Sequence, residues 1–420
     1  MSLAAWAFEL AGQLLVAPPE STAADGARRS LPECLEVLRE AHGLEAPASR
    51  PALAEIGLAL LARPIGPPER ETLRCHADAL RHQLSGDTVT YVVNRNLNVS
   101  NHCEQHCGFC AFRRDPGDPG AYWLERDELM RRAAEAQRAG ATELCVQGGL
   151  NGAATVDGSR TAYAEQLLRD LLAAAPGIHL HAFSPQELLF FAEGDGLSLA
   201  EVIARLQAAG LRSVPGTAAE VLSERVRRVL CPEKLSARAW CAAILEVHAA
   251  GLASTATLMA GHLEAPADRV AHLLTLLNLQ RYARSQDWPG FSEFVLLPFV
   301  GAAAPAPLRS RVGRDQPDLQ AMLMLTAQAR LLLGPWFVNH QPSWVKLTLP
   351  GAVEALRWGC NDLGGTLMEE HITTMAGARG GTAQTPQALE AAARSIGRPV
   401  RRRSTLYGWT PSGQPQELPA

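Results

Sequence analysis

The chain has 420 residues, with 39 basic against 43 acidic side chains and a formal net charge of −4. That length suffices for one large α/β barrel with extensions or for two to three ordinary domains, and the near-neutral balance, with no basic run interleaved with aromatics, argues against a nucleic-acid partner. Nine irregularly spaced cysteines do not make the disulfide framework of a small secreted domain, so a reducing, cytoplasmic setting is expected.

The opening stretch MSLAAWAFELAGQLL is apolar but carries Glu9 and no basic region, which reads as an amphipathic helix rather than a signal peptide. The apolar run at 51–62 is shorter than the ~20 residues that cross a bilayer, so no membrane association is expected. Helices are expected at 3–15, 31–42, 52–62 and 70–84, a helical extension over residues 1–85. At 88–93 the pattern changes to Thr-Val-Thr-Tyr-Val-Val, a buried-strand signature. Further strand ends fall at 143–147, 178–183, 212–215, 254–259, 293–297 and 336–340, with a weak one at 361–364. The helices between them fall at 125–138, 162–174, 199–208, 218–229, 237–249, 266–284 and 319–333. Eight such units predict a TIM-type (β/α)8 barrel over residues 86–375, with an open doubly wound sheet as the competing arrangement. Residues 376–420 form a short C-terminal extension with a helix and the run Arg401-Arg402-Arg403. That run reads as a solvated face, or else as a cover for the barrel.

Functional groups of such a barrel gather on loops after the strands' C-terminal ends. The first of these loops carries Cys103, Cys107 and Cys110 at C-x3-C-x2-C spacing. Three thiolates this close can each hold one iron of a 4Fe-4S cubane and leave the fourth iron open. An open iron can chelate the amino and carboxylate groups of S-adenosylmethionine (SAM), whose C–S bond an electron from the cluster then breaks. The alternative is a zinc-binding scaffold, with His102 or His106 completing a Cys3His set. It is disfavoured because zinc-binding pairs usually come from separated segments.

In Gln147-Gly148-Gly149 the glycines allow backbone to approach a ligand closely. His179 and His181 face the same side of the third strand by the period of two, with Ser184, Gln186 and Glu187 following. Thr217 and Glu220 read equally as a helix capping box and as a ribose contact. Polar residues recur at the remaining strand ends: His262 and Glu264, then Glu293, then Asn339, Gln341, Ser343 and Lys346. Asn361, Asp362, Glu369 and Glu370 belong to the last loop. This recurrence suits a polar, hydrogen-bonding substrate. Cys145, Cys231, Cys241 and Cys360 lack ligand spacing and read as buried small residues.

The cysteine spacing resembles the radical SAM superfamily, in which the position of Phe109 holds an aromatic against the adenine. Eight segments together carry a closer likeness: VVNRNLNVSNHCEQHCGFCAFRR, ELCVQGGL, IHLHAFSPQE, SVPGTAAEVL, TATLMAGHLE, EFVLLPF, PSWVKL and NDLGGTLMEE. Over roughly residues 70–410 the chain resembles the FO synthase subunit 2 family, the 5-amino-6-(D-ribitylamino)uracil–L-tyrosine 4-hydroxyphenyl transferases. Aminofutalosine synthase and dehypoxanthine futalosine cyclase of menaquinone biosynthesis share the cysteine segment. They usually read PGGGAE where this chain has PGTAAE.

The resemblance implies a barrel enzyme in which a 5′-deoxyadenosyl radical takes hydrogen from L-tyrosine. Cα–Cβ cleavage then gives a 4-hydroxybenzyl fragment and 2-iminoacetate, and the fragment joins C5 of the diaminouracil. A second radical SAM protein, FO synthase subunit 1, closes the deazaflavin ring of the coenzyme F420 precursor. The same resemblance places Cys103, Cys107 and Cys110 on a single 4Fe-4S cluster, and Phe109, Gln147, Gly148, Gly149 and Glu220 on SAM. It offers His181, Ser184, Asn339 and Asp362 as substrate contacts, Lys346 or an arginine for the tyrosine carboxylate, and flavodoxin or ferredoxin as electron donor.

Overall fold

The computed structural model describes residues 2–19, 29–43, 50–62 and 65–408. Four helices come first: α1 (Ala5–Leu14), α2 (Leu31–Gly43), α3 (Arg50–Leu61) and α4 (Pro67–Ser85). Strands and helices then alternate through β1 (Val89–Val92), β2 (Asn94–Asn98), α5 (Arg126–Arg138), β3 (Glu143–Gln147), α6 (Arg160–Ala174) and β4 (His179–Ala182). The middle of the chain forms α7 (Pro185–Asp195), α8 (Leu199–Ala209), β5 (Leu211–Val214), α9 (Glu224–Leu230), α10 (Ala237–Ala249) and β6 (Ala253–Ala260). It continues through α11 (Pro266–Ser285), β7 (Phe291–Pro298), α12 (Ala306–Val312), α13 (Leu319–Leu333) and β8 (His340–Pro342). The last elements are α14 (Trp344–Leu356), β9 (Asp362–Gly365), α15 (Ile372–Met375), α16 (Pro386–Arg394) and β10 (Val400–Arg402).

Strands β2 to β8 pair in sequence order as one curled, all-parallel sheet. Such strands are covered on both sides, one face by helices and the other by the barrel interior, and so carry long apolar runs. All eight residues of β6 are buried. The ring closes through β9, which pairs in parallel with β1 at Thr90↔Asp362 and Val92↔Gly365. On the other side, the Asn361 N–H donates to the His340 carbonyl at 3.1 Å. The strand expected at 88–93 is β1, in the small sheet β10-β1-β9, and the large sheet begins instead with β2, which has no counterpart among the predicted elements. The weak pattern at 361–364 has a reason. β9 reads Asp-Leu-Gly-Gly, without the β-branched residues that mark a strand. The N-terminal helices pack on the outer helix ring, α1 against α10, α3 against α11 and α4 against α13. No helix among the described residues is long and apolar enough to cross a membrane.

Two expected elements shift. The helix predicted at 218–229 starts only at Glu224, because the preceding segment crosses the barrel mouth with Ala218 at φ 66° and Glu220 at φ 45°. The buried Arg227 guanidinium holds that segment, donating to the Ala219 carbonyl at 2.6 Å. The strand predicted at 336–340 starts only at His340. Residues Gly334–Trp336 instead continue α13 as a 3-10 turn, and the buried Arg330 takes the carbonyls of Phe337 and Val338, each at 2.9 Å. Helices α7, α12, α14 and α15 have no counterpart among the predicted elements.

The arginine run is divided, with Arg401 exposed, Arg402 half-buried and Arg403 buried. It forms β10, registered on β1 by Val89↔Val400, Thr90↔Arg401 and Tyr91↔Arg402. The next residue, Arg403, turns inward to 2 % exposure. Its Nε and Nη2 meet the two carboxylate oxygens of Asp362 at 2.5 and 2.9 Å, and Thr90 adds its hydroxyl to the same carboxylate. Asp362→Ala leaves a buried guanidinium unpaired and is expected to cost about 3–5 kcal/mol in anaerobic denaturant unfolding. Arg394→Ala removes an exposed pair one turn apart on α16 and is expected to leave the transition nearly unmoved.

Candidate active site

Alternation along the parallel strands sends every second side chain into the barrel. Glu143, Cys145 and Gln147 of β3 do so, as do Thr255, Thr257 and Met259 near the end of β6 and Glu293, Val295 and Leu297 of β7. Together with the cysteine loop they line one cavity of about 410 Å³.

The loop after β2 brings all three cysteines of the triplet to this cavity, Cys107 buried and Cys103 and Cys110 partly exposed. Backbone hydrogen bonds fasten it on several sides. Glu104 N–H donates to the Leu150 carbonyl at 3.0 Å and Gly108 N–H to the Leu230 carbonyl at 2.8 Å. His106 is turned toward Glu233, whose carboxylate also accepts its backbone N–H at 2.7 Å. Neither His106 nor His102 lines the cavity. Among the described residues no three His, Cys, Asp or Glu side chains gather as they would around one metal ion. A cubane asks for something different, one thiolate on each of three irons, and the donors present are three thiols on one loop facing one cavity. Burial raises the Cys103 thiol and pushes that of Cys107 up to about 12, with Lys234 opposing the latter. A cationic cluster is what would hold these sulfurs as thiolates.

The β3 turn lies directly beneath this loop. A Cβ built on Gly149 would stand 2.1 Å from the His102 carbonyl oxygen and 2.9 Å from Cys103 Cβ, whereas one on Gly148 would stand 3.2 Å from the Ser100 carbonyl. Gly149 N–H donates to the Ser100 carbonyl at 2.7 Å and Gly148 N–H to Glu187 at 3.1 Å. Gln147 donates to the Thr217 hydroxyl at 2.6 Å, and because α9 starts only at Glu224 with Ser223 as its N-cap, neither Thr217 nor Glu220 caps a helix. Glu220 instead accepts from Lys234 Nζ at 2.7 Å. Burial works against its charge, but the lysine prevails and holds the carboxyl below its usual range. Lys234 also lies 5.4 Å from the centroid of the Phe109 ring. Phe109, Gln147, Gly148, Gly149 and Glu220 thus share the mouth with the three cysteines.

The four suggested substrate contacts separate. His181 lines the cavity and shares the Ser213 hydroxyl with His179, each at 2.7 Å. Burial lowers them to about 3 and about 4 respectively, so both rings are neutral. Ser184 also lines it, but its hydroxyl is engaged in the α7 capping box with Glu187. Asn339 and Asp362 lie outside the cavity lining. Because β8 begins one residue later than Asn339, that side chain falls at the strand's N-terminal end, between the Ser292 carbonyl and Asn361, each at 3.0 Å. Asp362 is fully buried and holds Arg403. His262 and Glu264 also lie outside the lining, tied into their own loop.

Several lining residues escaped the sequence reading. Cys145, taken as a buried small residue, faces the cavity. Arg403 and Thr405 reach its floor from the C-terminal extension. Beside them burial pushes Glu293 up to about 7, with Arg403 pulling it back, and Glu143 accepts from Asn94 at 2.7 Å. Lys234 did leave a signal: it is one of only two lysines in an arginine-rich chain.

The tight turn generates a prediction. Gly149→Ala forces backbone against backbone at the cysteine loop and is expected to lower iron and sulfide content after anaerobic reconstitution severalfold. Gly148→Ala, with its looser contact, is expected to retain them. Equal iron content in the two variants would show that the β3 turn does not support the loop.

Residues 97–277 match the radical SAM superfamily model. The chain is 57% identical over 344 residues to the 5-amino-6-(D-ribitylamino)uracil–L-tyrosine 4-hydroxyphenyl transferase of Cyanothece sp., an alignment covering 81% of this chain and 90% of that protein. It is 56% identical over 336 residues to the protein of the same name from Microcystis aeruginosa, covering 80% and 89%. Its fold is that of methylornithine synthase, with TM-score 0.65 and 14% identity over 88% of this chain and 97% of the other. The FeFe-hydrogenase maturase HydG from Carboxydothermus hydrogenoformans gives TM-score 0.65 and 14% identity over 96% and 86%. With three cysteines at the mouth of a parallel barrel and more than half its aligned residues identical along nearly the whole of those transferases, the chain belongs to the 5-amino-6-(D-ribitylamino)uracil–L-tyrosine 4-hydroxyphenyl transferase family of radical SAM proteins.

Proposed function

We propose that this protein cleaves L-tyrosine and joins its 4-hydroxybenzyl group to C5 of 5-amino-6-(D-ribitylamino)uracil. The products are 5-amino-5-(4-hydroxybenzyl)-6-(D-ribitylimino)-5,6-dihydrouracil, 2-iminoacetate, 5′-deoxyadenosine and methionine. The observation that carries this reading is the identity to the named transferases over about nine-tenths of their length.

In this reading Cys103, Cys107 and Cys110 hold one 4Fe-4S cluster, and Phe109, Gln147, Gly148, Gly149 and Glu220 frame SAM. When bound, the cluster supplies the electron that cleaves SAM to the 5′-deoxyadenosyl radical. Lys234 neutralises Glu220 at the mouth. The barrel walls keep water and stray hydrogen donors from a radical. Below them, Glu143, Glu293, Arg403 and neutral His181 offer both donors and acceptors to ring amides and hydroxyls. Glu293, with its proton held near neutral pH, can act as either. His181 is the stronger of the suggested contacts, since Ser184 spends its hydroxyl on a helix cap. The reading also assigns reduction to a flavodoxin or ferredoxin and the next step to FO synthase subunit 1, as the family likeness implies.

Anaerobically reconstituted protein with reductant, SAM, tyrosine and the diaminouracil is expected to yield the hydroxybenzyl adduct by mass spectrometry, only when both substrates are present. Conversion of futalosine-type substrates instead would overturn the substrate assignment. Cys107→Ala is expected to abolish turnover and to lower iron and sulfide together. Stoichiometric zinc without sulfide in the wild-type chain would restore the scaffold reading.

A further inference from the structure

Four permanent cations line the cavity among the described residues: Arg113, Lys234, Lys346 and Arg403. Three are paired, Arg113 with Asp115, Lys234 with Glu220 and Arg403 with Asp362. The Lys346 ammonium alone makes no hydrogen bond or ion pair with the described residues, and burial holds it below the usual lysine range. A desolvated, unpartnered ammonium is costly unless a ligand supplies the counter-charge.

The backbone holds this lysine in place at a cost. Lys346 sits in the first turn of α14, which is set off from the rest of the helix by Thr348 at φ 65°, ψ 163°. A β-branched residue rarely adopts positive φ, and strain of this kind collects at functional sites. The turn is fastened on both sides. Trp344 Nε1 donates to the Gly365 carbonyl at 3.0 Å, and Gly380 N–H donates to the Val345 carbonyl at 3.0 Å.

Glu370 lines the same cavity at 5 % exposure and accepts the Thr373 N–H. Glu370 is the carboxylate whose charge bears most on Lys346, yet the two are not in ion-pair contact. Glu220, at the mouth with the SAM candidates, is the next anion felt by Lys346. A small zwitterion would bring its carboxylate to the unpaired ammonium and its amine to a carboxylate that otherwise holds the Thr373 backbone N–H. Of the two proposed substrates only tyrosine carries a permanent carboxylate and ammonium; the ribityl-diaminouracil carries neither.

We propose that Lys346 and Glu370 form a head-group clamp for the amino-acid substrate, Lys346 on its carboxylate and Glu370 on its amine. The proposal rests on the transferase reading and names the residues that select an α-amino acid over its deaminated or decarboxylated analogues. Neither residue is assigned to the cluster or to SAM.

Calorimetric titration of the anaerobically reconstituted full chain, with SAM present, tests it using L-tyrosine, tyramine and 3-(4-hydroxyphenyl)propionate. The wild-type chain is expected to prefer tyrosine to each analogue by at least about tenfold, the scale of a charge-assisted hydrogen bond. Lys346→Met is expected to abolish the preference over tyramine by weakening tyrosine while leaving tyramine unchanged, and Lys346→Arg to keep part of it. Glu370→Gln is expected to abolish the preference over the propionate. Iron and sulfide content and far-UV circular dichroism check that each variant is folded and loaded. Ratios unchanged in both the Lys346→Met and Glu370→Gln proteins, or a loss confined to SAM affinity, would overturn the clamp while leaving the transferase reading standing. A wild-type chain that binds no tyrosine overturns both.

Discussion

Gly149 and Cys103 compete for nearly the same space, and the whole mouth of the barrel is arranged around that closeness. Only a residue without Cβ lets the end of β3 lie against the His102 carbonyl. That contact sets the height of the cysteine loop over the cavity. The loop is then fixed laterally by Leu150 and Leu230 through backbone hydrogen bonds. Fixing the loop through backbone leaves the thiol side chains free for ligation, which is what a preorganised metal site requires.

Electrostatics inside the barrel follow a simple rule with one exception. Cations facing the cavity are matched by carboxylates, and where a carboxyl lacks a full partner, as at Glu293, burial raises its pKa instead. The histidines obey the same logic: His179 and His181 remain neutral around one serine hydroxyl. Lys346 breaks the rule, and it does so on a strained turn at the cavity wall.

The C-terminal extension belongs to the active-site architecture more than its sequence suggests. Strand β10 adds to β1 on the side opposite β9, and Arg403 then crosses beneath the barrel to Asp362 on that far strand. One ion pair therefore ties three strands and forms part of the cavity floor. The substrate role suggested for Asp362 gives way to this structural one, and Arg403 takes its place at the cavity.

The sequence by itself determined what depends on local pattern: the alternating strands and helices, most of the strand positions, the cysteine triplet, and the Gln147-Gly148-Gly149 turn. These are readable because period-two burial, close ligand spacing and glycine's missing Cβ are properties of neighbouring residues. Only the tertiary structure decided which polar strand-end residues reach the cavity. β8 starts at His340 and not at 336, which leaves Asn339 just before the strand's N-terminal end, and Gln341 and Lys346 line the cavity instead. Arg403 and Lys234 could not be placed from the sequence, because their partners Asp362 and Glu220 lie 41 and 14 residues away and meet them only in the fold. Burial, which shifts the pKa values of Glu293, His181 and Lys346, is likewise a sum over distant elements that no local pattern carries.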